Sequence, residues 1–391
     1  MVSTLLAIGL LAAVWVGFNI GGSSTAVAWG PAVGSGVVTK IPAAVLMTGF
    51  VFLGGLTVGR NVIRTLGSGI VRRSVFTPKT TIVVLIIIGL GMFIGNAYSV
   101  PVSTSMSAVG AIAGLGIATK TLNWSTMGRI LTWWIVTPIV GFWASAVVGR
   151  YIYPYLDSYT QLEQSEGPLV VLDRSGLLPR PGMGPNTTLR ELVSTLTVLA
   201  IACYMAFSAG ASNVANAVAP LVGSGAISIE AGIILGTVAI SIGAFTIARR
   251  TLDTVGGGIT DLPLLASLVV MVVAATITTL LSWLGIPISL AVTAIMTIIG
   301  LGWGRASRIA EVRKVVYQAE EIPVSSNALN VESSDGPSAI GEEVPEDILN
   351  AEDLYDQKSV ARVISLLIIS PSAAALISYV VFISLPLALS S

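Results

Sequence analysis

The sequence predicts an all-α integral membrane fold built from two related halves. Three observations lead to this prediction. Of 391 residues, 54% are hydrophobic and 10% are charged, and the mean hydropathy of +0.88 lies far above the range of soluble domains. Long stretches carry no charge, and one stretch of the first half is repeated in the second. A soluble fold could not bury this much apolar surface.

The charge-free stretches define the membrane part of the chain. No Asp, Glu, Lys or Arg occurs in residues 1–39, 41–59, 80–119 or 262–304. A charge at the bilayer centre costs about 3 kcal/mol or more, so these stretches are expected to face lipid or protein interior.

Apolar windows of about 20 residues, the length that crosses the hydrocarbon core as a helix, predict about 8 full spanning helices. The expected spans are Leu5–Asn19, Pro42–Gly59, Thr81–Asn96, Ile130–Val148, Leu192–Phe207, Ala231–Ala248, Leu262–Leu284 and Val363–Leu387.

Four further apolar pieces are interrupted by Gly, Ser and Pro. They are Gly21–Thr39, Val100–Thr119, Gly210–Ser228 and Ile286–Trp303. Backbone that leaves the helix at membrane depth is tolerated where protein or a watery cavity satisfies it. The sequence therefore predicts 4 re-entrant or broken hairpin segments.

An internal repeat relates the two halves. Gly21–Ile70 aligns with Gly210–Ile259 without a gap, and about a third of the positions are identical. A second pair follows, in which VPVSTSMSAVGAIAGLG from Val100 matches IPISLAVTAIMTIIGLG from Ile286. Duplicated halves with matching interrupted segments are typical of secondary transporters, whose binding sites lie where the interruptions meet. The alternative is that these Gly and Ser residues only let helices pack closely.

Polar connections divide the chain further. The predicted regions are a first membrane repeat (1–150), a polar connecting loop (151–190), a second membrane repeat (191–304), an acidic flexible loop (305–360) and a last membrane helix (361–391).

Several classes of site are excluded by composition. The chain has no histidine and a single cysteine, Cys203. A Ser-His-Asp triad, a Cys/His zinc site and an internal disulfide are therefore absent. The net charge of zero gives no indication of a nucleic-acid partner. We expect no enzymatic activity, no metal site and no cofactor beyond a coupling ion.

The candidate binding residues are hydroxyl and amide side chains in the four interrupted pieces. A helix that begins inside the membrane presents unpaired N–H groups and a partial positive charge, which favour an anion. Unwound carbonyls with Asn and Ser oxygens could equally hold a sodium ion. The candidates are Ser23, Ser24, Thr25, Ser103, Thr104, Ser105, Ser212, Asn213, Asn216 and Ser289. Alternatively, each lone hydroxyl bonds back to its own helix. Glu230 borders one of these pieces and is either a proton relay or an interfacial residue.

These residues resemble the PiT family of inorganic phosphate transporters. That family carries a duplicated GANDVAN-type motif followed by VGS, and a PVSTTH-type segment in each half. Here GASNVANAVAPLVGSG from Gly210 and VPVSTS from Val100 match the two patterns. Ser23-Ser24 and Ser212-Asn213 stand where the family has Asn-Asp. The stretch FNIGGSSTAVAWGPAVGSG from Phe18 is more similar to the sulfate permease branch of the same family.

The resemblance implies an inverted-topology fold of 10–12 spans, symport of a tetrahedral oxyanion and a homodimer in the cell membrane. Family membership favours phosphate as the substrate, the local match favours sulfate, and the coupling ion is Na⁺ or H⁺. The rival functions are an anion channel, a membrane enzyme acting on lipids and a structural subunit of a larger complex.

Overall fold

The computed structural model describes residues 2–22, 29, 32–33, 38, 40–97, 102–159, 170–173, 180–183, 188–259, 264–317 and 357–385. Within these ranges the chain is helical apart from one short hairpin and the turns. The helices of the first half are α1 (Val2–Ile20), α2 (Lys40–Leu56), α3 (Gly59–Arg64), α4 (Pro78–Ala97), α5 (Thr104–Ala118), α6 (Trp124–Val147) and α7 (Tyr153–Tyr159). Those of the second half are α8 (Leu189–Gly223), α9 (Ile229–Ile259), α10 (Leu264–Trp283), α11 (Leu290–Tyr317) and α12 (Gln357–Ser384).

Two π-helical turns, a 3₁₀ turn at Arg73–Val75 and a hairpin also lie in the described part. The π turns, Thr65–Gly69 and Val148–Ile152, extend α3 and α6. In the predicted connecting loop, β1 (Val170–Asp173) pairs antiparallel with β2 (Arg180–Met183).

Among the described residues, 6 helices are long and apolar enough to cross a bilayer, or up to 7 if a pair bent by 56°, Ile41–Leu56 and Gly59–Gly69, counts as one span. The apolar parts of α1 (Thr4–Ile20) and α12 (Ile368–Ser384) fall among the shorter apolar helices. This count differs from the 8 full spans predicted. Those two predicted spans are short by this measure, Pro42–Gly59 counts only within the bent pair, and α11 counts as a span although Ile286–Trp303 was predicted to be broken. The fold is nevertheless that of a multi-pass membrane protein.

The offsets of the sequence repeat also relate helix boundaries. Helices α4 and α10 begin and end 186 residues apart, and α5 and α11 begin 186 residues apart. Helices α2 and α9 begin 189 residues apart. Packing is reciprocal as well, since α1 packs on α9 while α2 packs on α8. Equivalent helices therefore exchange partners across the two halves.

Glycines permit this exchange of partners. A Cβ on Gly210 of α8 would overlap the Val51 carbonyl oxygen of α2, and one on Gly54 of α2 would overlap the Phe207 carbonyl oxygen. The same relation recurs between α1 and α9, where Gly21 meets the Ile240 carbonyl oxygen and Gly243 meets that of Phe18. Backbones approach so closely at these points that no side chain fits between them.

The prediction of a broken segment over Gly210–Ser228 is wrong for residues 210–223. They form the C-terminal part of the single 35-residue helix α8. Gly210 serves close packing rather than a turn, and the Ala- and Val-rich sequence that follows keeps the helix intact. The helix ends at Gly223, and Gly225 beyond it has φ +75°, a conformation that favours glycine.

The other interrupted pieces are broken mainly at their starts. Helix α5 follows extended residues at 102–103, and α11 follows the non-helical stretch 285–289, in which Gly285 has φ +71°. Most of Gly21–Thr39 lies outside the described residues. Helix α11 also continues through residues 305–317, beyond the boundary expected at 304.

Candidate functional site

The N-terminus of α5 lies inside the protein. All residues from Thr104 to Gly116 are buried, and a helix of 15 residues is about 22 Å long, too short to cross the bilayer. The Ser103 side chain caps the helix by accepting a hydrogen bond from the Met106 N–H at 3.4 Å. The N–H groups of Thr104 and Ser105 have no partner in the helix. A partial positive charge is thus held in an apolar interior.

Helix α8 presents amide side chains to this helix start. Asn213 and Asn216 lie one turn apart on α8 and are 4% and 0% exposed. The Asn216 Nδ2 donates to Ser105 Oγ at 3.0 Å and lies 3.5 Å from Asn213 Oδ1. One amide therefore connects the two helices that carry most of the predicted residues.

Three buried polar atoms at this junction have no hydrogen-bond partner within the described part of the chain. They are Thr104 Oγ1, Asn213 Nδ2 and Asn216 Oδ1. An unsatisfied buried polar atom costs about 1–3 kcal/mol, so three of them on facing elements indicate a place where a polar ligand is bound. Pro220 carries no N–H, so the Asn216 carbonyl also lacks its usual helical donor.

The contacts thus link Ser105 of α5 with Asn213 and Asn216 of α8, and Ser103 and Thr104 adjoin Ser105 at the start of the helix. A sixth predicted residue, Ser212, is buried on α8 as well. The Ser212 hydroxyl donates to the Ala209 carbonyl of its own helix at 3.4 Å. This bond agrees with the alternative hypothesis, in which each lone hydroxyl bonds back to its own helix. Ser23, Ser24 and Thr25 lie outside the described residues.

Ser289 occupies the position equivalent to Ser103 in the second half. It is 5% exposed and accepts a hydrogen bond from the Val292 N–H at 3.3 Å, so it caps α11 as Ser103 caps α5. The preceding turn is held by Trp134, whose Nε1 donates to the Pro287 carbonyl at 2.8 Å. Each half therefore starts one apolar helix from a buried serine cap.

Some buried polar residues were not predicted from the sequence. Ser208 lies one turn before Ser212 on α8, is fully buried, and donates to the Ala275 carbonyl of α10 at 3.1 Å. Thr278 and Ser282 of α10 are also fully buried, and their hydroxyls have no partner among the described residues. The spacing of Ser208 from Ser212 could have identified it, whereas the α10 hydroxyls stand in an otherwise plain apolar span.

Glu230 lies at the surface, away from this junction. Its Oε1 is 2.9 Å from Arg60 Nη1, and the two side chains are 56% and 31% exposed. This geometry favours an interfacial residue over a buried proton relay.

Replacing Glu230 with glutamine is expected to change anion uptake very little, because Glu230 is exposed at the surface and its ion pair with Arg60 contributes little to the stability of the fold. Initial uptake rates in proteoliposomes at two proton gradients check this. A selective loss of proton-driven uptake in the glutamine variant would instead identify Glu230 as a relay.

Comparison with known proteins identifies the family to which this chain belongs. Residues 20–319 match the sequence profile of the phosphate transporter family. The chain belongs to the phosphate transporter family. That family consists of membrane permeases, so the chain is a multi-pass protein of the cell membrane.

The relatives are named for different substrates. The chain is 28% identical over 297 residues to the sulfate permease CysP of Bacillus subtilis, covering 76% of this chain and 77% of that one. It is 27% identical over 362 residues to a putative phosphate permease of Pyrococcus furiosus, covering 77% and 88%. A solved structure described as the sodium-dependent phosphate transporter superposes with a TM-score of 0.62 at 21% identity, covering 97% of this chain and 100% of the other. The last similarity supports the fold.

Proposed function

We propose that the chain is a secondary-active symporter of a small inorganic tetrahedral oxyanion, with inorganic phosphate as the substrate that its family favours. The observation that carries the proposal is the buried junction of α5 and α8. There the start of a helix faces two asparagines, and three buried polar atoms lack partners among the described residues.

The donors at this junction fit an oxyanion. The N–H groups at the start of α5 that have no partner in the helix, the Asn213 Nδ2 and the Thr104 hydroxyl can each donate to a phosphate or sulfate oxygen. The helix dipole adds a favourable potential that a low-dielectric interior strengthens. Because all of these donors are neutral, the anion is bound without a fixed positive charge and can be released again.

The acceptors fit a coupling cation. The Asn216 Oδ1 and the Asn216 carbonyl freed by Pro220 are oxygen ligands of the kind that hard cations take. A cation bound beside the anion reduces the net charge moved through the bilayer. We infer that Na⁺ is the coupling ion, since the site residues named here include no carboxylate to carry a proton, and a neighbour in fold is described as sodium-dependent.

Sulfate is the second candidate, favoured by one feature of the motif. Ser212-Asn213 replaces the Asn-Asp of the phosphate transporters that the sequence resembles. Hydrogen phosphate has a proton to donate and needs an acceptor, whereas sulfate near neutral pH has none. A site rich in donors therefore suits sulfate, and the similarity to a sulfate permease supports the same choice.

The proposal extends to architecture and assembly. Matched helix starts and reciprocal packing support two repeats, 1–150 and 191–304, which we propose to have inverted topology. The homodimer rests on the family resemblance. We also infer that the protein has no enzymatic activity.

Uptake of labelled phosphate and sulfate into liposomes carrying the purified protein tests the proposal. Each anion is offered with a sodium gradient, a proton gradient or neither, and with the other anion as competitor. Saturable, gradient-driven uptake of either anion supports a symporter, and competition identifies the preferred one. Uptake that never saturates and needs no gradient would identify a channel, and absence of uptake would favour a structural subunit.

Substituting Asn213 with aspartate is expected to raise the ratio of phosphate to sulfate uptake by about tenfold, because a carboxylate accepts the proton of hydrogen phosphate but repels sulfate. The ratio of kcat/KM values measures the change. Asn123→Asp is the matched control, since Asn123 is an exposed cap of α6 that accepts from the Thr126 N–H and aspartate caps equally well. An unchanged ratio in Asn213→Asp would mean that Asn213 does not face the substrate.

A further inference from the structure

Helices α6 and α11 lie side by side and approach the membrane surface together. A Cβ on Gly300 would overlap the Phe142 carbonyl oxygen, and one on Gly304 would overlap that of Ala146. The residue numbers of the contacting positions increase in the same direction on α6 and on α11, so the two helices run parallel. Exposed aromatic side chains lie at and after the end of α6: Trp143, Tyr151 and Tyr155 are 54%, 59% and 68% exposed. Such a belt is typical of the boundary between hydrocarbon and water.

Three arginines meet at this end of the helix pair. The Arg150 Nη1 donates to Ser307 Oγ at 3.2 Å, and the Arg308 Nη1 donates to the Arg150 carbonyl at 3.2 Å. The Arg305 guanidinium lies 4.4 Å from the centre of the Tyr153 ring. Two helices therefore contribute three cations to one small area.

The Arg308 contact lies at an irregular turn. Residues Val148–Ile152 form a π turn between α6 and α7, and the Arg150 carbonyl of this turn accepts from Arg308. This contact uses one of the five N–H groups of the Arg308 guanidinium. Its remaining donors are not used by this contact.

Neither Arg305 nor Arg308 is neutralised by a described side chain. No described carboxylate is paired with Arg305 or Arg308, and the Arg305 Nη1 is a buried donor without an acceptor among the described residues. A guanidinium at the edge of an apolar region that lacks an acceptor is stabilised by an anion. Its planar fork fits the oxygens of a phosphate group in particular.

We propose that this arginine cluster binds the phosphate group of an anionic phospholipid. Free phosphate shares the same chemistry, but a lipid adds acyl chains that can pack along the exposed apolar face of α6. Ile139, Val140 and Val147 of that face are 53%, 43% and 50% exposed. Basic pockets between membrane helices recognise lipid headgroups in this way. The site is separate from the α5–α8 junction and does not depend on the transported substrate.

The test compares the full-length protein with the variant carrying Arg305→Gln and Arg308→Gln. Native mass spectrometry in detergent, titrated with phosphatidylglycerol, phosphatidylcholine or inorganic phosphate, gives the apparent affinity for each. Arg129→Gln is the matched control, because Arg129 is an exposed arginine at the other end of α6. Arg308→Gln alone keeps the Arg305–Tyr153 contact and serves if the double variant is not monodisperse.

The expected result is a loss of about tenfold or more in phosphatidylglycerol affinity in the double variant, with at least a severalfold loss for Arg308→Gln and none for Arg129→Gln. Phosphatidylcholine binding should be weak and unchanged, and millimolar phosphate should not displace phosphatidylglycerol. Equal phosphatidylglycerol affinity in parent and variants would overturn the proposal. So would displacement by free phosphate, which would identify a site for the small anion instead.

Discussion

Replacing Asn216 with alanine is expected to lower anion uptake by about ten- to a hundredfold. The change removes the amide that links Ser105 on α5 with Asn213 on α8, and it leaves the Ser105 hydroxyl without its buried partner. One such buried hydrogen bond corresponds to about 1–3 kcal/mol, which gives the expected range. Initial rates in proteoliposomes over a range of anion and sodium concentrations measure the loss.

Ser107→Ala is the matched control for this prediction. Ser107 is buried on α5, the helix that carries Ser105, but its hydroxyl lies 2.9 Å from Ser370 Oγ of α12 rather than against α8. We expect folded yield to fall slightly and the KM for the anion to stay the same. If Ser107→Ala and Asn216→Ala reduced uptake equally, the α5–α8 junction would have structural importance alone and the candidate site would be wrong.

Replacing Gly210 with alanine is expected to prevent stable folding, although the change adds a single methyl group. That methyl would overlap the Val51 carbonyl oxygen, and the α2 backbone cannot retreat without separating helices that pack along their length. Overpacking against backbone costs about 3 kcal/mol or more. Monodisperse yield and thermal stability in detergent measure the effect.

Gly49→Ala is the control for helix propensity. Gly49 lies on α2, the helix that Gly210 contacts, and a Cβ there meets nothing within 4 Å. Alanine is the better helix former by about 1 kcal/mol, so this variant should be as stable as the parent or slightly more so. Equal stability of the two alanine variants would contradict the close approach of α2 and α8.

The sequence predicted the positions of the membrane helices better than it predicted where a helix is interrupted. Charge-free windows located α4, α6, α9 and α10, because an apolar stretch of sufficient length has few alternatives to a membrane helix. The same reasoning divided α8 at Gly210, because glycine was taken as a helix interruption. In the structure Gly210 faces another backbone and the helix continues. A glycine in a close helix contact and a glycine in a turn look alike in sequence.

The sequence identified the candidate residues by their type and clustering, but it did not predict which of them contact one another. Nothing in the sequence indicates that Asn216 donates to Ser105, 111 positions earlier, since the contact depends on how α5 enters between other helices. The buried hydroxyls of α10 were missed for a related reason. A threonine in an apolar span usually bonds to its own helix, and Thr278 is distinguished by the absence of such a bond.

The exchange of helix partners has a consequence for biosynthesis. Helix α1 is made before α9, yet the backbone on which Phe18 and the adjoining Gly21 pack belongs to Ile240 and Gly243. At about 5–20 residues per second, a ribosome adds that stretch roughly ten to forty seconds after α1 has left the exit tunnel. During that interval the nascent first half lies in the bilayer with its glycine face uncovered. Insertion of this protein therefore requires lipid or an insertase to occupy that face until translation reaches α9.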